Sequence, residues 1–347
     1  MQITELNEKI YQQGDAGYDD ARRPFKLTVE QRPARVMMAE SVDDVVAAVR
    51  FAREQGMPFA VQATGHGLVR GCTDGVLVNT ARFTGVQVDP ARSTARVNPG
   101  TRWRDVLAAG DPLGLIGLSG TAPSVGVVGY TLGGGVGLLM RTFGYAADSV
   151  IAAEIVTANG QLLRADRDQN PDLLWALKGG GGNFGVITAL EFKLHPVRQV
   201  YSGVAAYPAE RASELLRRWA AWTVDAPDDL TSAAVLMRVP PFPAIPESIR
   251  GKQIVMLRAA SASGDATPIE QLRAELGTPL MDTYRTSTYL EAALASMDPD
   301  QPVPVTTAGA MIGELSDGAI DHLIGLAGSD SPLMMVEVRH LGGASRR

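Results

Sequence analysis

The sequence predicts an α+β protein of two domains, and three observations carry that prediction. A strand, helix, strand pattern fills residues 35–62 and leads into a glycine-flanked histidine, His66. Two glycine-dense stretches, 114–137 and 179–185, break up the chain that follows, and both lie before His195-Pro196. Beyond that dipeptide the glycine runs stop, and helical and extended patterns alternate. A boundary there gives a first domain of 1–197 and a second of 198–347, each long enough to bury a core.

Bulk composition narrows the function classes. Hydrophobic residues make up 45% and charged residues 20%, ordinary values for a globular chain. A net charge of −6 supplies no general attraction to nucleic acid or anionic membrane, and neither is expected as a partner. Cys72 is the only cysteine, so there is no intrachain disulfide framework and no Cys-rich metal site. The start, MQITELNEKIYQQGDAGYDD, lacks the basic and apolar regions of a signal peptide. The longest apolar run, Val125 to Met140, is too short and too rich in glycine to span a membrane. A cytoplasmic location is the expectation, and nothing specifies an oligomeric state.

Residues 1–32 read as an irregular lead-in with one short helical segment. Val36 to Ala39 reads as a strand, and Ser41 opens a helix with Asp44 placed to complete its cap. Val42, Val45, Val46, Val49 and Ala52 fall on one face of that helix. Gly56 ends it, and Pro58 begins the strand that delivers Gln62-Ala63-Thr64-Gly65-His66-Gly67. The loop therefore sits at the carboxyl end of a strand, where α/β units commonly hold ligands. Flanking glycines let the backbone turn tightly and approach a ligand, and the imidazole offers a nucleophilic nitrogen. Taken alone, the hexapeptide reads equally as a surface turn.

Short strands follow at Val76 to Val78, Val86 to Asp89 and Thr94 to Val97, the last two joined by a turn at Asp89-Pro90-Ala91-Arg92-Ser93. Thr101 is expected to cap a helix from Arg102 to Ala109 that buries Trp103, Val106 and Leu107. The segment from Gly114 to Gly137 carries too much glycine for regular helix, and reads as a backbone cradle or as a loop with a close-packed helix start. Ile151 to Thr157 and Leu162 to Arg164 form a hairpin around Asn159-Gly160, and Asn170-Pro171-Asp172 starts a short helix. Gly180, Gly182 and Gly185 satisfy G-x-G-x-x-G, but helix precedes and strand follows, the reverse of the dinucleotide order. The second domain reads as a helix at 209–222, strands at 235–239 and 253–259 around a proline-rich loop, helices near 268–275, 288–296 and 317–326, and a strand at 334–340.

The order of these motifs resembles flavoproteins of the berberine-bridge-enzyme type, within the vanillyl-alcohol-oxidase fold and its PCMH-type FAD-binding domain. The resemblance runs through Asp15 to Arg22, Arg32-Pro33-Ala34, Ala63 to Gly67, Ala122 to Gly137 and Asp172 to Thr188. It implies an FAD-binding domain, a substrate domain with an antiparallel sheet and flanking helices, and FAD joined covalently to His66. Ala63, Thr64, Gly65 and Gly67 are then cofactor-binding, with Thr121, Val125, Gly126, Gly129, Tyr130, Gly133, Gly134, Gly185 and Val186. Many relatives form a second link through a cysteine where this chain has Ala122, so a single bond is expected. Tyr130 stands where relatives often carry histidine. Val125 matches a position whose valine goes with oxygen-reactive members, which favours an oxidase. The implied reaction transfers a hydride from an alcohol, sugar or amine carbon of a small molecule to FAD, with oxygen as acceptor.

Family members usually continue beyond the stretch matching Arg339 to Ala344, through a segment that carries the catalytic base and lines the flavin. This chain resembles a shortened member, so no catalytic residue is assigned and the final strand is expected to be an exposed edge. Tyr284, Tyr289, Glu337 and Arg339 are candidate substrate contacts that read equally as packing or surface. Two further readings fit the same motifs: an inert FAD-binding protein, and a non-covalent FAD reductase or dehydrogenase of the same fold.

Overall fold

The computed structural model describes residues 9–295 and 298–346. The first eight residues of the expected lead-in, and Ser296 at the expected end of one helix, lie outside the described residues. Contacts divide the chain into two units. The first takes the chain up to Gly137, then Tyr145–Pro196 and Ala293–Thr307; the second takes Leu138–Gly144, Val197–Ala292 and the chain from Ala308 on. The main change falls between Pro196 and Val197, while two segments cross over that a single boundary at 197 does not provide for.

In the first unit, β1 (Ile10–Tyr11) and helix α1 (Tyr18–Arg22) precede β2 (Arg35–Met38), α2 (Val42–Glu54), β3 (Phe59–Gln62) and β4 (Val76–Asn79). The lead-in is thus less irregular than expected, because β1 pairs with β2. Both β2 and β3 run parallel to β4, in the order β1-β2-β4-β3. Helix α2 starts where Ser41 Oγ accepts from Asp44 N–H at 3.2 Å, and the Asp44 carboxylate accepts from Glu40 N–H at 2.9 Å. Its Val45 and Val49 are buried, each worth about 1.5–3 kcal/mol of transfer from water.

A second, antiparallel sheet follows: β5 (Val86–Asp89), β6 (Thr94–Val97), β8 (Val150–Val156), β9 (Leu162–Asp166) and β10 (Val186–Lys193), ordered β5-β6-β10-β8-β9. Between them run α3 (Trp103–Gly110), β7 (Leu115–Ile116), α4 (Val127–Leu132), α5 (Met140–Phe143, in the second unit) and α6 (Pro171–Gly180). Strand β11 (His195–Pro196) closes the unit by pairing with β7. Two expectations are corrected here. Arg102, not Thr101, stands at the start of α3, since Thr101 Oγ1 is bonded to the N–H and C=O of Gly85 at 3.2 and 3.0 Å. The glycine-rich segment also holds one regular helix, α4, whose six residues include a single glycine, Gly129.

The second unit is a fully antiparallel sheet with helices. Its elements are β12 (Val200–Pro208), α7 (Ala212–Thr223), β13 (Leu230–Arg238), β14 (Gln253–Ser261), α8 (Thr267–Leu276), β15 (Met281–Asp282), β16 (Arg285–Ser287), the start of α9 (Tyr289–Leu294, whose last two residues belong to the first unit), α10 (Asp317–Leu326) and β17 (Met335–Arg339). The order is β15-β12-β14-β13-β17, with β16 also on β12. Leu215, Leu216 and Trp219 of α7 pack on Tyr207, Leu236 and Leu257 of the sheet. Strands β12, β15 and β16 are absent from the sequence reading. Arg141 of α5 is buried in this unit and binds Leu230 O, Leu341 O, Asp228 Oδ1 and His340 Nε2.

Candidate functional site

Strand β3 ends at Gln62, and the next five residues turn back along Pro24–Lys26. Phe25 N–H donates to Thr64 O at 3.0 Å and Lys26 N–H to Gly65 O at 3.3 Å. Gly65 has φ +75°, and a Cβ on it would lie 2.7 Å from Pro24 Cβ, so only glycine passes there without displacing its neighbour. Phe25 stacks on His66, ring centroids 3.7 Å apart and planes at 15°. This neighbour, forty-one positions upstream, carried no signal in the sequence pattern.

Thr64 ties the histidine to the second glycine segment. Its Oγ1 lies 2.9 Å from His66 Nδ1 and accepts from Gly126 N–H at 3.3 Å. The segment on the far side is fixed in turn by α3: Trp103 N–H donates to Val125 O, Arg104 N–H to Pro123 O, and Val127 N–H to Thr101 O. Ala63, Thr64, Gly65 and His66 are therefore joined to Thr121–Gly126 and to α4, which starts one residue later. Tyr130 of α4 meets Trp103 edge-on, centroids 5.6 Å apart.

Burial, and then the positive charge of Arg102, push the His66 pKa down from 6.5 to about 4; Asp300 opposes them weakly. The ring is neutral at pH 7. Its Nε2 is buried and has no hydrogen-bond partner among the described residues. The same holds for Ser124 Oγ and Thr131 Oγ1, both on the Thr121–Leu132 segment and neither singled out by the sequence. Unpartnered buried polar atoms cost about 1–3 kcal/mol each, so three in one region point to a group that would satisfy them. Around them the glycines leave room. A Cβ on Gly67, Gly129 or Gly134 would meet nothing within 4 Å, and one on Gly133 only the carbonyls of Gly129 and Tyr130 at 3.4 and 3.6 Å. The neutral ring, the orphaned hydroxyls and the bare backbone suit a large polar cofactor.

Other residues singled out by the sequence do different work. A Cβ on Gly185, where φ is +145°, would lie 2.4 Å from Val156 O, so that glycine serves close contact with β8. The Val186 side chain is buried in the core against α2, which leaves only its backbone to meet a ligand. Ala122 presents a methyl group, and Cys72 is buried with its thiol pKa raised by desolvation. In the second unit, Tyr284 OH donates to Leu257 O at 3.2 Å while Arg273 lies over its ring. Tyr289 is buried. Glu337 is paired with Arg258 at 3.4 Å and with Arg339 at 2.8 Å. No group of three His, Cys, Asp or Glu side chains among the described residues is arranged to hold a metal ion.

The FAD binding domain family matches residues 33–166, the span that holds both loops of the site. The chain has the PCMH-type FAD-binding oxidoreductase fold. Among curated relatives of this fold, an FAD-linked oxidoreductase of Dictyostelium discoideum is 34% identical over 228 residues, covering 65% of this chain and 50% of its own length. The structure of 6-hydroxy-D-nicotine oxidase from Arthrobacter nicotinovorans matches with a TM-score of 0.74 at 25% identity, over 83% of this chain and 63% of that one. Berberine-bridge-enzyme-like 1 of Physcomitrella patens matches with a TM-score of 0.81 at 21% identity, over 99% and 78%. The chain thus spans about half the length of the first of these relatives. No helix among the described residues is long and apolar enough to cross a membrane.

Proposed function

We propose that this chain is an FAD-linked oxidase that carries its cofactor on His66 by a single covalent bond. The observation that carries the proposal is the state of that ring: neutral at pH 7, buried, and with Nε2 unpartnered among the described residues, beside an open glycine cradle. A neutral imidazole keeps a lone pair for bond formation, which a protonated one lacks. Thr64 and Phe25 restrict the ring's rotation, so little orientational freedom is lost when the bond forms. Gly67, Gly129 and Gly134 would admit the cofactor's phosphates and ring system to the backbone, and Ser124 and Thr131 would donate to its oxygens. Ala122 has no thiol with which to add a second bond.

Bound FAD supplies the redox chemistry, accepting a hydride from an alcohol, sugar or amine carbon and passing the electrons to oxygen. The protein's share is to hold the cofactor and orient the small-molecule substrate. Val125, partly buried against the core beside Gly126, supports the choice of oxygen as acceptor through the valine that this position shares with oxygen-reactive members.

Acid precipitation of the purified protein tests the attachment. Yellow colour should stay with the pellet, and His66→Ala should release it to the supernatant. Colour lost from the wild type would favour a non-covalent reductase or dehydrogenase. Peroxide release over a panel of alcohols, sugars and amines tests the oxidase. Silence from correctly flavinylated protein across that panel would favour an inert binder.

A further inference from the structure

Ala293–Thr307 belongs to the first unit, although the chain on both sides of it belongs to the second. Within it, residues 300–305 lie as a strap along the stretch 25–28 that carries Phe25. Val303 N–H donates to Phe25 O at 2.9 Å, and Leu27 N–H donates to Val303 O at 3.0 Å. Lys26 and Val303 form a parallel bridge, and Thr28 Oγ1 donates to Val305 O at 2.7 Å. On its other side the same stretch is bonded to the His66 loop, Phe25 N–H to Thr64 O and Lys26 N–H to Gly65 O. Residues 25–28 are thus held between loop and strap, and both main-chain polar groups of Phe25 are engaged, one by each.

Composition makes the strap stiff. It reads Asp300-Gln301-Pro302-Val303-Pro304-Val305. Each proline fixes its own φ, favours an extended residue before it, and has no N–H. Val303 is therefore the one main-chain donor among residues 302–304, and that donor is on Phe25. At the strap's start Asp300 pairs with Arg104 at 3.3 Å. The pair is exposed and adds little stability, but it sets the strap against α3, where Arg104 N–H holds Pro123 O of the second glycine segment. The strap thus contacts both sides of the site. What it controls is the imidazole: Phe25 fixes the plane of the ring, Thr64 fixes its Nδ1 edge, and between them Nε2 has one direction. Bond formation tolerates little error in that direction, since a misplacement of about 1 Å costs about a hundredfold in rate.

We propose that the 300–305 strap is a positioning element for flavin attachment: by clamping Phe25 it aims the His66 ring, so that attachment requires a stretch far beyond residue 197 as well as the loop itself. The inference rests on the attachment to His66 proposed above. Attachment joins Nε2 to the cofactor's methyl carbon; that carbon and Nδ1 each release a proton, and oxygen takes the two electrons as peroxide. The full chain from a riboflavin-starved host, mixed with FAD in air at pH 8, gives the attachment rate from the colour retained on acid precipitation. At that pH the imidazole is neutral whether buried or not, so the rate reads orientation. Val303→Pro deletes the N–H on Phe25 and should slow attachment about tenfold at saturating FAD, with the half-saturating FAD concentration changed less than about twofold. Thr28→Val removes the side-chain tie to Val305 and should slow it in the same sense, and it decides the matter if urea unfolding shows the proline variant to be misfolded. Phe25→Leu should be slow as well, and combining it with either strap variant should add nothing, because the strap acts through Phe25. A wild type that retains no colour would overturn the attachment to His66 and this inference with it. A wild type that loads, with strap variants loading at its rate or with the Phe25→Leu and strap effects multiplying, would overturn this inference alone.

Discussion

Acid should destabilise the second unit through His340. Arg141, 3% exposed, donates from Nη1 to His340 Nε2 at 2.9 Å, a bond that requires this nitrogen to be unprotonated. Burial first, then the charges of Arg141 and Arg346, push the His340 pKa from 6.5 down to about 4. In the unfolded chain it titrates near 6.5, so between pH 6.5 and pH 4 the unfolded state binds more protons than the native one. Stability is therefore fully present above that window and is lost as pH falls through it. At pH 5 the loss from this one group is about 2 kcal/mol, some thirtyfold in the folding equilibrium. His340→Gln keeps an acceptor near the Nε2 position and does not titrate. Urea unfolding followed by tryptophan fluorescence at pH 7.5 and pH 5 should show the wild type losing about 2 kcal/mol more than the variant. His66 and His195, which titrate in the same window, cancel in that difference. Equal losses in the two proteins would refute the reasoning.

Arg141→Met should cost about 2–4 kcal/mol in urea unfolding, because it orphans the carbonyls of Leu230 and Leu341, while the largely exposed Asp228 carboxylate turns to water. Gly65→Ala should destabilise by about 1–3 kcal/mol, from a positive φ and a Cβ driven into Pro24, read as a lowered Tm. Gly129→Ala separates cradle from scaffold: with open space at its Cβ and a helical site, flavin-free stability should hold or rise by about 0.5–1 kcal/mol while flavin content falls. Thr64→Val should lower covalent flavin yield and destabilise by about 1–2 kcal/mol, with Thr64→Ser restoring both; a full yield of attached flavin in the valine variant would show that the hydroxyl does not hold the ring.

Much of this protein was legible locally. Apolar spacing along 42–52 marked the buried face of α2, Ser41 and Asp44 marked its start, and Asp317 to Leu326 emerged as α10 with the expected ends. The glycine before His66 marked the loop, because a backbone that must turn at positive φ leaves its requirement in the residue type. Strand β12 was illegible for a related reason. Its Ser202, Gly203, Ala205 and Ala206 lack the bulky residues that signal a strand, and Gly203 is small because a Cβ there would lie 2.5 Å from the Tyr284 backbone. Thr101 matched a cap in sequence and spent its hydroxyl on Gly85 instead.

The site divides the same way. The sequence by itself determined that a histidine would stand in a glycine turn after a strand, and that a second glycine segment would follow it. Only the tertiary structure decided that Thr64 joins the two, that Phe25 covers the imidazole, and that burial beside Arg102 holds the ring neutral. Periodicity and turn chemistry act between neighbours in the chain and leave their mark in composition. Desolvation, stacking and shared hydroxyls act between residues that only folding brings within reach, and no local pattern records them.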